Sequence, residues 1–381
     1  MKINGFQTRR HFIKTMTQAS AACALLPALG SSIARTTPQQ SSKSKLTEAR
    51  YYEKLPNRKI KCVLCPRECV IDDQETGYCG VRENHGGTYY TLVYGRPCSA
   101  NVDPIEKKPL FHFLPGTLAF SIATVGCNVL CKFCQNWQIS QARPDQVPSY
   151  ELSPQAIAQY ARDTQSRSIA YTYTEPVIFT EYMYDCAEQG HRLNIKSVMI
   201  SNGYIKAQPM KDLSRVLDAV KIDLKAYTEK FYQEMVSGHL QPVLDTLVLL
   251  KQENMWTEIV YLMIPTLNDN PKELQQMCQW IVKELGPDVP IHFTRFHPEY
   301  RLKNLPPTPL KTLEMARKIA LDTGLNFCYI GNVPGHEGEN TYCPGCKKMV
   351  IQRLGFQIVS NSITKQGQCK HCGHKIPGIW S

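Results

Sequence analysis

Residues 119–140 read AFSIATVGCNVLCKFCQNWQIS. An apolar, β-prone run ends at Gly126 and gives way to three cysteines, Cys127, Cys131 and Cys134, spaced C-x3-C-x2-C. A closed structural zinc site takes four ligands, and so does a fully ligated iron–sulfur cube. This stretch supplies three, with no fourth Cys or His close by. The run before them is apolar throughout rather than alternating, as in a strand covered on both faces.

The same texture repeats downstream. SIAYTYT, KSVMISN, AVKIDLK, EIVYLMIP and IHFTRF are apolar β-rich runs. Between them lie the amphipathic stretches SPQAIAQYARD, QPVLDTLVLLKQEN and NPKELQQMCQWIVKEL. Ser153 and Asn270 precede Pro at two helix starts, a strong N-terminal signal. Apolar strands separated by helices predict an α/β domain with a parallel sheet and six repeats over residues 117–334. A further run, NFCYIGN, extends the series. Periodicity alone is common to an open sheet and a barrel.

The polar residues gather at the ends of these runs. Cys127, Cys131 and Cys134 follow the first, Thr174-Glu175-Pro176 the second and Ser201-Asn202-Gly203 the third. Asp223 and Lys225 stand on the fourth. Pro265, Thr266, Asn268 and Asp269 follow the fifth; Arg295 and His297 end the sixth. Each alone has a plain reading as a turn, a loop or a structural ion pair. Together they mark carboxyl ends of parallel strands, which converge on one face where active sites form. Three thiolates there hold three irons of a [4Fe–4S] cube and leave the fourth open to an outside molecule. The rivals are a fourth ligand from elsewhere, giving a closed electron-transfer cluster, and a zinc site.

C-x3-C-x2-C with Phe133 before the last cysteine, after the first strand of a β/α domain, resembles the radical S-adenosylmethionine (SAM) superfamily. The resemblance implies a partial (β/α)6, TIM-like barrel and reductive cleavage of SAM at the open iron. It implies that Phe133, Thr174, Glu175, Asn202, Asp223, Lys225 and His297 bind the cofactor, as in the similar pyruvate formate-lyase activating enzymes; it names no catalytic residue. Where that family has Gly-Gly-Glu, this chain has Tyr173-Thr174-Glu175. CVLCPRECV, GYCGVRENHGG, YGRPCSANVDPIEKKPLFHFLPG and IGNVPGHEGENTYCPGC further resemble the radical enzyme of the AmmeMemoRadiSam system. That likeness implies company with Memo-like and AMMECR-type proteins; it does not name the substrate, for which a protein is one candidate, and the reductive chemistry calls for an electron donor.

The chain has 381 residues and 16 cysteines. Cys343, Cys346, Cys369 and Cys372 have zinc-ribbon spacing in a tail, residues 335–381, too short for its own core; structural zinc is expected, with rubredoxin-like iron the rival. Cys62, Cys65, Cys69 and Cys79, in a Cys-rich segment at 49–116, fit zinc, an auxiliary cluster or two disulfides, and Cys98 is near enough to replace one of them. Cys186, Cys278 and Cys328 lie in apolar surroundings and read as buried small hydrophobes. Lys107 and Lys108 read equally as an acidic-ligand site and as a solvated loop.

The formal net charge of +11 is spread out, which argues against a nucleic-acid surface. No apolar stretch is long enough to span a membrane. Arg9-Arg10 with Phe12, an Ala-rich run and Ser32-Ile33-Ala34 resemble a twin-arginine export signal over residues 1–34. Residues 35–48 read as a polar linker. Export to the periplasm favours a rival class, a non-catalytic iron–sulfur carrier or partner-binding scaffold. The open iron favours an enzyme.

Overall fold

A computed structural model of the chain describes residues 46–381. The leader and residues 35–45 of the expected linker lie outside the described residues. Eight strands form one sheet: β1 (Ser99–Pro104), β2 (Leu118–Ala123), β3 (Ser168–Tyr171), β4 (Lys196–Ser201), β5 (Ala219–Asp223), β6 (Trp256–Met263), β7 (Ile291–Arg295) and β8 (Cys328–Gly331). They are hydrogen-bonded in that order, so the two edges do not close into a full barrel. From β2 to β8 the pairing is parallel, and β1 runs antiparallel to β2 with Asp103 opposite Ala119. The sheet is thus an α/β, partial TIM-like barrel. It is wider than six repeats: NFCYIGN supplies β8, and β1 comes from the Cys-rich segment rather than from within residues 117–334.

Helices cover the outer face: α1 (Pro154–Asp163), α2 (Thr180–Arg192), α3 (Ala207–Ser214), α4 (Gln241–Gln252), α5 (Pro271–Glu284) and α6 (Leu310–Asp322). The expected caps form. The Ser153 hydroxyl accepts from the Ala156 amide, and the Asn270 side chain accepts from Lys272 and Glu273. All four residues of β3 are buried, as a strand between helix layer and barrel interior must be.

Two small antiparallel sheets precede β1, one of Tyr52–Lys54, Ile60–Cys62 and Val70–Ile71, the other of Thr47–Glu48, Arg82–His85 and Thr88–Thr91. Ile60, Val81 and Tyr89 from these share one apolar core with the barrel. The loop between β1 and β2 closes the floor. Its Ile105, Leu110 and Phe113 pack on Ala119 and Ala219, at the amino ends of β2 and β5, and on Ala170 of β3, where small side chains leave room. The tail hairpin, Met349–Leu354 with Gln357–Asn361, packs through Val350 and Ile351 against Phe111, Phe327 and Tyr329. Among the described residues no helix is long and apolar enough to cross a membrane.

Candidate active site

The triplet loop leaves β2 at the carboxyl mouth of the barrel. Gly126 starts it with φ 95°, and a Cβ there would stand 2.7 Å from the Cys79 carbonyl and from Val81. Only glycine satisfies both the left-handed backbone and that approach. The loop is then tied down by other elements. Leu130 and Lys132 amides donate to the carbonyls of Val236 and Met235, in a turn of π-helix at Tyr232–Val236, each at 2.9 Å. The Arg67 guanidinium donates to the carbonyls of Asn128 and Ser237. Trp137 stacks on Tyr300 with centroids 5.2 Å apart and donates to Glu299 at 3.2 Å.

The strand ends are stitched together by the polar residues found there. Glu175 is 2 % exposed and spans two strands. Its carboxylate accepts from the Ser201 hydroxyl (2.7 Å), the Asn202 amide (2.8 Å) and the Val177 amide (3.1 Å). Burial still raises it to about 7, those donors offsetting only part of the effect. The Thr174 hydroxyl donates to the Thr124 carbonyl at 2.8 Å. Asn202 donates to the Asn128 side chain at 2.9 Å, with the same nitrogen 4.0 Å from Cys127 Sγ. Asn268 donates to the Lys225 and Leu262 carbonyls, both at 2.8 Å.

Lys221, Asp223 and Lys225 alternate along β5 and just beyond it, so their side chains share one face. Asp223 pairs with both lysines, and Lys225 Nζ lies 3.4 Å from it. Burial alone would pull the Lys225 ammonium down, but the Asp223 carboxylate beside it holds it above its ordinary value. Its ammonium stands 5.9 Å from the centroid of the Phe133 ring. His297 is not drawn in; it is exposed in the loop after β7. Lys221 belongs to the set and was missed, although K-x-D-x-K has the period of a strand. Beneath lies a second buried group. Lys108, 2 % exposed, pairs with Asp103 at 2.6 Å, and Asp103 also takes the Tyr173 hydroxyl and the Lys107 ammonium. The solvated-loop reading fits Lys107 but not Lys108, whose ammonium burial pulls down to about 8.

A family model described as the radical SAM superfamily matches residues 121–281. The uncharacterized protein MJ0808 of Methanocaldococcus jannaschii is 46 % identical over 332 residues, covering 87 % of this chain and 99 % of that one. The chain belongs to the radical SAM superfamily. A second protein of that organism, MJ0674, also uncharacterized, is 25 % identical over 279 residues, 68 % of this chain and 75 % of the other. Among solved structures, a domain of pyruvate formate-lyase-activating enzyme from Bacteroides vulgatus covers 43 % of this chain at 15 % identity, with TM-score 0.39 and 99 % of that domain matched. A radical SAM methyltransferase from Sphaerobacter thermophilus covers 60 % of this chain and 71 % of its own at 13 % identity and TM-score 0.45.

The protein is therefore a SAM-cleaving radical enzyme, and the residues present fit what that chemistry requires. Burial pushes the Cys131 thiol up to about 12 and the Cys127 thiol well above its ordinary value, so a metal held by them would have to displace protons. The Val129 amide donates to Cys127 and offsets part of that.

The other cysteines fall into three kinds. In the tail, Cys343 and Cys372 sulfurs lie 3.7 Å apart and those of Cys346 and Cys369 3.8 Å apart; all four are within 4.8 Å of one another. Cys62, Cys65, Cys69 and Cys79 line one small pocket that Cys98 does not reach. Cys186, Cys278 and Cys328 are buried among apolar residues. All the cysteines of the described residues are free thiols.

Proposed function

We propose that Cys127, Cys131 and Cys134 carry a site-differentiated [4Fe–4S] cluster whose open iron binds SAM, and that the enzyme abstracts hydrogen from its substrate. The observation that carries this is the triplet itself, seated at the carboxyl mouth of the barrel with Lys225, Asp223 and Asn202 beside it. When bound, the cluster supplies the electron that splits the sulfonium. The chain's own residues hold and orient. Lys225 and Asp223 present paired charges to the zwitterionic methionine end of SAM. Phe133 packs beside them. Glu175 and Thr174 fix the strand ends on which these groups stand, and Glu175 Oε2, which accepts from the Asn202 amide alone, keeps a lone pair for the amino group.

Four thiolates at 2.3 Å from one zinc stand about 3.8 Å apart, close to the Cys343–Cys372 and Cys346–Cys369 spacings, and this supports a structural zinc in the tail. Membership in the AmmeMemoRadiSam system, with Memo-like and AMMECR-type partners and an external electron donor, rests on sequence motifs. Export by the twin-arginine route rests on Arg9-Arg10 and the run after them. Anaerobic reconstitution with dithionite and SAM tests the reading. Wild type should release 5′-deoxyadenosine and methionine. The joint Cys127→Ala, Cys131→Ala and Cys134→Ala variant should release none, a drop of at least a thousandfold, at unchanged zinc content. Continued cleavage by that variant overturns it.

A further inference from the structure

We propose that Cys62, Cys65, Cys69 and Cys79 hold a second iron–sulfur cluster, set back to back with the triplet loop. Cys62 ends the strand Ile60–Cys62. Cys65 and Cys69 sit in the turn that follows, and Cys79 in the turn before Arg82–His85. The spacing C-x2-C-x3-C-x9-C left zinc, a cluster and disulfides open. The structure separates them. The four stand unbonded to one another around a shared pocket, the arrangement a metal site asks for.

Spacing then distinguishes the metals. Among the described residues the tail quartet is the group of three or more His, Cys, Asp or Glu donors drawn within 4.8 Å of one another. Neither the triplet nor the N-terminal four contracts that far. A zinc ion pulls four thiolates to about 3.8 Å apart because each lies 2.3 Å from one centre. A cube puts irons and sulfides between its thiolates and keeps them farther apart. One chain thus contains a zinc-sized set and two wider sets, and one of the wider sets is the superfamily's own cluster triplet.

Burial pushes the Cys62, Cys65 and Cys79 thiols up, as it does those of Cys127 and Cys131, and backbone amides offset part of that. Amides two residues on donate to three of the sulfurs: Leu64 to Cys62, Arg67 to Cys65 and Val81 to Cys79. Val129 does the same for Cys127. Such N–H to sulfur bonds offset thiolate charge in clusters and set their potentials. Arg82, wholly buried and paired with Glu181 through two bonds, lies near Cys62 and Cys79, and its guanidinium lowers both thiols in part. Position supplies the use. The Cys79 carbonyl meets Gly126, and Cys79 and Cys127 line one cavity. A one-electron centre gains from standing beside the radical site, and a structural zinc does not.

The test uses the full-length protein, reconstituted anaerobically with ferrous iron and sulfide. Wild type should hold about eight iron and eight sulfide per chain, and the triplet-to-Ala variant about half of each. The remaining cluster, reduced with dithionite, should give an EPR signal that added SAM does not change. The double variant Cys65→Ala with Cys79→Ala should also lose about half, keeping a SAM-sensitive signal. If that double variant does not fold, the triplet variant answers alone, because its N-terminal site is untouched. A triplet variant without acid-labile sulfide, or with an added zinc, or with the four thiols recovered as disulfides, overturns the proposal. The second site does not depend on SAM cleavage: wild type that made no 5′-deoxyadenosine while the triplet variant kept its sulfide would sink the proposed reaction and leave the second cluster in place.

Discussion

Tyr173 occupies the place where the resembling family has a glycine. Its backbone has φ 64°, the left-handed conformation a glycine would take, at a strain of about 1 kcal/mol for a residue with a Cβ. Two contacts hold it there. Asn136 donates to its carbonyl at 2.7 Å, and its hydroxyl donates to Asp103. The departure from Gly-Gly-Glu therefore changes the side chain and keeps the backbone path, so Glu175 arrives at the strand end with its carboxylate between Ser201 and Asn202. Tyr173→Gly and Tyr173→Ala both delete the hydroxyl, but only alanine retains the strain. The glycine variant should be the more stable by about 1 kcal/mol, the reverse of the usual order. Denaturant midpoints of the two variants decide it, and an alanine variant at least as stable as glycine would show the backbone to be unstrained.

Among elements, the triplet loop is the one most dependent on distant partners. Arg67 binds carbonyls 61 and 170 positions away. Removing it with Arg67→Ala leaves those carbonyls without a charged donor, a loss of about 2 kcal/mol. Amide exchange in residues 126–140 should then quicken by about thirtyfold, and iron should load less completely, with zinc unchanged. Unaltered exchange would make Arg67 a surface residue with no hold on the loop. This is also where sequence and structure part. The strand–helix alternation was legible because fully covered strands are apolar throughout and Ser153 and Asn270 stand at their caps. Lys221 was legible too, one strand period before Asp223. Arg67 was not, since nothing in PRECV says which carbonyls its fork will meet. His297 stands exposed in the loop after β7, and position along the chain does not set the direction of a side chain in a loop. The edge strand Ser99–Pro104 was hidden because its neighbour lies across a proline-rich turn that reads as a connection.

Over the whole molecule, barrel and tail are joined at a buried polar seam. Glu258 accepts from the Phe111 amide (3.0 Å), the His112 amide (2.8 Å), His292 (2.8 Å) and Trp256 (3.2 Å). His112, wholly buried, lies 2.7 Å from the Pro377 carbonyl and 2.6 Å from the Tyr329 hydroxyl. A neutral ring with its proton on Nδ1 serves both partners, donating to the first and accepting from the second. Burial pulls His112 down to about 4, against an ordinary value of 6.5. The unfolded chain therefore takes up a proton that the folded chain refuses. Stability should fall as the pH drops from about 6.5 to about 4, by up to about 3 kcal/mol, and His112→Gln should flatten that part of the profile. Melting curves of both forms across this range check it; parallel profiles would remove His112 as the cause. The seam also has a consequence for synthesis. His112 and Pro377 are 265 positions apart. A ribosome adding about 5–20 residues each second needs tens of seconds to cover that interval. Throughout it the floor loop of the barrel has been made but its covering strip has not, so a newborn chain presents Phe111 and Phe113 to the cell long before it can hide them, and a chaperone has that long to find it.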